Sequence, residues 1–96
     1  MSLFLIDHRH TPEACPTLNP DMVRALRAHV TPENAKSMGL DLLADWANEP
    51  DHHVVFVVEG ERANAEQFAA PFAGVGSADI TEGLTCEEVA KDCLGE

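Results

Sequence analysis

Positive charge is scarce in this sequence. Six lysines and arginines stand against 17 aspartates and glutamates in 96 residues, a formal net charge of -11 with histidine neutral. Phosphate recognition needs clustered Lys and Arg, so no nucleic-acid partner is expected. An anionic membrane surface is disfavoured for the same reason. Such acidity mostly serves solubility, and it is compatible with a cationic ligand or a metal ion. Long apolar runs are missing as well. Met1 to Ile6 is apolar, but Asp7 and His8 follow at once, without a basic leader or a cleavage site. Nothing approaches the roughly 20 residues of a membrane span. Three cysteines, Cys15, Cys86 and Cys93, are an odd number, so a disulfide framework is not expected and a reducing, cytoplasmic location is the simplest. No repeat, linker or low-complexity tract divides the chain, and its length suits one domain over residues 1–96. A Rossmann enzyme or TIM barrel needs roughly 200 residues or more. Gly74-Val75-Gly76 lacks the further glycine and the lysine of a phosphate loop, and no Ser/His/Asp nucleophile motif can be read.

What is present falls into a definite order. Leu3 to Ile6 is an apolar run of strand formers. Pro12, Pro16 and Pro20 then forbid a regular helix, so His8 to Pro20 is expected to be an ordered arm, longer than usual connections. Asn19-Pro20-Asp21 starts a helix: Asn caps it, Pro fits the first position and Asp complements the dipole. Met22, Leu26 and Val30 give that helix a core stripe. Thr31-Pro32-Glu33 restarts it and Gly39 stops it. Leu40 to Trp46 reads as a second strand, with Asp41 and Asp45 on one face and Leu42 and Trp46 on the other or near its end. His53 to Glu59 is the clearest strand. Its valines and Phe56 are apolar on both faces, which predicts a central strand covered on each side. Ala65, Phe68, Ala69 and Phe72 make a helical stripe that Pro71 shortens or bends. Ser77 to Thr81 is a weaker fourth strand. Thr85 then caps a short helix carrying Val89, Ala90 and Cys93.

The order β-α-β-β-α-β plus a terminal helix is the ferredoxin-like α+β pattern. A four-stranded antiparallel sheet with both helices on one side leaves its other face apolar and bare, which predicts a face-to-face homodimer. With Phe4 to His8, Leu40 to Trp46 and the strand His53 to Glu59 leading into a helix, the chain resembles the dimeric α+β barrel superfamily. Within it, the chain looks like small stand-alone families of unknown function related to a nickel-binding ferredoxin-like protein. The resemblance covers about the first 80 residues. It implies a homodimer and, for some members, a metal site. It carries no catalytic residue onto this chain.

Five histidines are an enrichment at this length. In the expected topology the first and third strands are antiparallel neighbours. His8 and His10 at the end of one should therefore lie beside His52 and His53 at the start of the other, and the arm carrying Cys15 leaves from the same corner. Imidazole and thiolate are the donors preferred by zinc, nickel and copper. His-x-His on a strand turns both rings to one face. Asp7, Glu13 and Glu49 can add a carboxylate or an orienting hydrogen bond. The leading expectation is a metal site drawn from His8, His10, Cys15 and one of His52 or His53, a choice that a one-residue register shift exchanges. Two alternatives stand beside it. In the first, His8 or His10 acts as general base of a cofactor-free enzyme with a small-molecule ligand beside Trp46 and Phe56. Superfamily relatives that are oxygenases, isomerases or cyclases supply that idea by analogy of fold. In the second, the chain is a non-catalytic interaction module. Four smaller readings complete the set. Glu59 pairs with Arg62, His29 is a surface residue, Cys86 and Cys93 pack into the core or against a partner, and Trp46 packs in core or interface.

Overall fold

The computed structural model describes residues 2–96. Four strands form one antiparallel sheet: β1 (Ser2–Arg9), β2 (Asp41–Asn48), β3 (His53–Gly60) and β4 (Ser77–Gly83), in the order β2-β3-β1-β4. The helices are α1 (Pro20–His29), α2 (Pro32–Ser37), α3 (Arg62–Ala73) and α4 (Cys86–Leu94), and two 3-10 turns, Pro12–Ala14 and Pro16–Leu18, make up the proline-rich arm. This is the ferredoxin-like α+β architecture. No described helix is long and apolar enough to cross a membrane.

The core follows from side-chain periodicity. Phe4 and Ile6 of β1 face the same side as Phe56 and Val58 of β3, and all four are buried. Ala65, Phe68, Ala69 and Phe72 turn one face of α3 onto them. Phe56 and Phe68 meet edge to face with ring centres 5.7 Å apart, a favoured aromatic geometry. Pro71 lies inside α3 and the helix continues two residues beyond it, to Ala73. Side chains cap three helices. Asn19 Oδ1 accepts from the N–H of Asp21 (3.0 Å), Thr31 Oγ1 from Asn34 (3.0 Å) and Thr85 Oγ1 from Glu88 (3.1 Å). Each such cap contributes about 1 kcal/mol to its helix.

Several expectations are corrected. The second strand does not alternate regularly. A bulge at Leu43 separates the pairs Leu42–Val58 and Ala44–Val57. Past it the facing reverses, because one extra residue shifts a period-two pattern by one. Leu42 and Asp45 therefore face the helices, whereas Trp46 and Asp41 share the open face. The core stripe expected of α1 is incomplete, since no residue of that helix is buried. Leu26 and Val30 touch the core, while Met22 is exposed. The cause is placement: α1 rests on the arm and on α2 rather than on the sheet. His29 is half-buried, not a surface residue. Its Nε2–H donates to the Phe68 carbonyl at 2.7 Å and its ring stacks on Phe68, tying α1 to α3. Glu59 does not pair with Arg62, which lies on the helix side and bonds Glu66 instead (3.3 Å). Cys86 and Cys93 are exposed rather than packed in the core, as is every residue of α4.

Candidate functional site

Because α1 stands off the sheet, a pocket of about 370 Å³ opens between them. Leu26 and Val30 form one wall, Val54 and Phe56 of β3 another, and Phe72 of α3 closes the base. His8, His10, Cys15 and His52 lie along one end. Each arrives there for a local reason. His8 continues the inward parity of Phe4 and Ile6 and is fully buried. His10 follows two residues on, just past β1, where its N–H donates to the His52 carbonyl (3.2 Å) and extends the β1–β3 ladder by one rung. That rung pairs His10 with His52, and the Arg9–His53 pair before it turns His53 to the open face. There His53 Nε2 lies 2.9 Å from Asp7 Oδ1 and its ring meets Trp46 edge-on at 5.2 Å. Cys15 is buried between the two turns of the arm, with Sγ 2.9 Å from Thr17 Oγ1.

The ring nitrogens form a chain whose direction is fixed at one end. His8 Nδ1 lies 2.8 Å from the Ser77 carbonyl oxygen, which can only accept. His8 Nδ1 therefore carries the hydrogen, and in the neutral ring Nε2 is left to accept. His10 Nδ1, 3.0 Å from it, must then donate. That leaves His10 Nε2 to accept, and His52 Nδ1–H, 3.3 Å away, donates to it. One nitrogen of His10, one of His52 and Cys15 Sγ lie within 4.8 Å of one another. A tetrahedral metal with bonds of 2.0–2.1 Å to nitrogen separates two such ligands by about 3.3–3.4 Å. The donor set fits zinc, nickel or copper.

His8 does not join that group: its Nδ1 is held by the Ser77 carbonyl and its Nε2 by His10, whereas the bond between His10 and His52 joins two members of the group itself. His53 reaches the pocket rim, but its ring turns to the open face, toward Asp7 and Trp46, and it is not part of the group. Glu13 and Glu49 are exposed and outside the group, and Asp7 serves His53. Trp46 reaches the pocket rim, but it is half exposed and turns its ring to the open face. Among the residues that sequence reasoning missed are Ser77, Leu26 and Phe72. Ser77 acts through its main-chain oxygen, which no side-chain pattern announces. His52 is the one described non-glycine residue with a positive φ, 50°, a conformation uncommon for such residues and concentrated at functional sites.

Burial holds both His8 and His10 below the ordinary imidazole pKa of 6.5. For His8, desolvation outweighs the opposing pull of the Ser77 carbonyl and the Asp7 charge, and His53 adds to the lowering. For His10, desolvation is reinforced by His8 and His52. The folded chain thus resists protons that the unfolded chain accepts. Stability is fully present above pH 6.5 and falls as the pH drops below it. In urea titrations with chelator present, the wild type should lose more stability between pH 7.5 and 5 than the double variant His8→Gln, His10→Gln. Equal losses would remove the burial account.

No family model matches the chain, and no curated protein matches it. One solved structure, described as an antibiotic biosynthesis monooxygenase, is similar over 88% of this chain and 98% of that one, with a TM-score of 0.55 and 19% identity. The two share a fold. At that identity the likeness extends no further.

Proposed function

We propose that the protein binds one transition-metal ion, zinc, nickel or copper, through His10, Cys15 and His52. The observation that carries this reading is the 3.3 Å separation of His10 Nε2 and His52 Nδ1 beside a buried thiol in the same cluster, a pair whose one shared hydrogen a metal would displace. The metal would supply Lewis acidity at the end of the pocket. His8, held by the Ser77 carbonyl, orients the His10 ring in the way that outer hydrogen bonds commonly orient a ligating imidazole. A relation to nickel-binding ferredoxin-like proteins and a reducing, cytoplasmic setting that keeps the thiol free belong to the same proposal. So does a single unit over residues 1–96 that pairs with a second copy.

A second reading rests on the solved monooxygenase of like fold and on the directed histidine chain. It is a small enzyme that works without a metal, with His10 as base toward a ligand in the pocket. Metal analysis separates the two. Untagged protein is expected to take up one zinc, nickel or copper ion per chain and to melt higher as the metal rises, since a ligand bound only to the folded state stabilises it. A ratio near zero with an unmoved melting temperature sinks the metal reading and leaves the second.

A further inference from the structure

The His10–Cys15–His52 group offers three protein donors, and no carboxylate among the described residues joins them. Structural zinc sites are closed by four protein ligands, whereas three leave a position for something else. That position borders the pocket. The nearby walls are apolar: Leu26, Val30, Val54, Phe56 and Phe72. Phe56 and Phe72 are 2% and 4% exposed and pack on each other with ring centres 4.9 Å apart, so they floor the pocket, and Leu26, Val30 and Val54 are its partly exposed walls. The charged residues on the pocket, Arg27, Asp45 and Glu49, are exposed and of both signs, so they select neither a cation nor an anion. Water alone gains little from such walls. A cavity of this size and polarity is typical of a small-molecule site, in which a few polar groups fix the orientation of an apolar body.

Resting on the metal reading above, we propose that the fourth coordination position is filled by a small compound whose azole nitrogen or thiolate carries an apolar, ring-sized body, that body lying in the pocket between Leu26, Val30 and Val54. The metal fixes the donor end and the walls exclude water from the ring. Selectivity then comes from the body of the ligand rather than from its charge. A donor with no apolar body attached gains the metal bond alone. A ring with no donor gains only burial and has nothing to orient it.

The test uses the full chain loaded with cobalt(II), which reports thiolate coordination and ligand exchange by its absorption. Imidazole and 4-phenylimidazole are titrated against it. The phenyl compound should bind at least about 10-fold tighter, the effect expected of burying one ring. Val23 also lines the pocket, and it is 41% exposed, so Val23→Lys should fold. In that variant the preference should collapse toward parity while cobalt loading is unchanged. A thiolate band that appears but shows equal affinity for the two compounds, or a preference that survives Val23→Lys, overturns this proposal and spares the metal site. Absence of the thiolate band overturns the metal reading, and this inference with it.

Discussion

Replacing Cys15 by alanine is expected to weaken zinc binding by about 10²–10³-fold. Four-ligand structural sites bind with roughly 10–16 kcal/mol, or about 2.5–4 kcal/mol per donor, and each 1.4 kcal/mol is a factor of ten. Cys15 is the sole thiol on the pocket; Cys86 and Cys93 sit on the exposed α4. Cys86→Ala and Cys93→Ala should therefore bind zinc like the wild type. The fold should survive Cys15→Ala, because losing one buried sulfur and its Thr17 contact costs about 1 kcal/mol. Competition with a chromophoric chelator gives the affinities and a melting curve gives the control. A Cys15→Ala protein that holds zinc as tightly as the parent would remove the thiol from the site.

Val57→Lys is expected to halve the mass of the protein in solution. The face of the sheet away from the helices carries Leu3, Leu5, Val55, Val57 and Trp46. Leu5 is 42% exposed and Trp46 50% exposed, a cluster of large apolar side chains of the kind that marks an interface. Charge lies toward the β4 side, where Asp79 pairs with Asp7 across the strands, so the apolar area is offset toward β2 and β3. We propose that a second copy covers it, which agrees with the homodimer expected of the sheet. Val57 pairs with Leu5 on one side and Ala44 on the other, near the middle of this area. A lysine there leaves the monomer's core untouched but buries an unpaired charge on association, at about 2–5 kcal/mol or more. Light scattering decides the matter: a wild-type mass of one chain, or a variant mass of two, would dismiss this mode of pairing.

The parts of the fold that were legible in the sequence are those written in local periodicity. The stripe Ala65, Phe68, Ala69, Phe72 and the two-sided run Val54 to Val58 each admit one reading. Residues 40–46 do not. Leu40, Leu42, Leu43 and Trp46 suit either phase of a strand, and only packing against β3 decides that Leu43 is the extra residue. The stand-off of α1 is equally silent, because Met22, Leu26 and Val30 look the same whether the helix lies on the sheet or on the arm. The gathering of His8, His10, Cys15 and His52 into one corner could be reasoned from strand adjacency. The choice between His52 and His53 could not, since it turns on a register of one residue. The engagement of both His8 nitrogens depends on a carbonyl 69 positions away.

That carbonyl has a consequence for how the site tolerates change. The acceptor that sets the direction of the histidine chain belongs to the main chain of residue 77, so any amino acid there offers the same oxygen, and drift at that position leaves the imidazoles aligned. The burden passes to its neighbour. A Cβ on Gly76 would run into the Arg9 carbonyl and crowd the His10 Cα at 3.1 Å. Inheritance of this corner therefore rides on the absence of a side chain beside it.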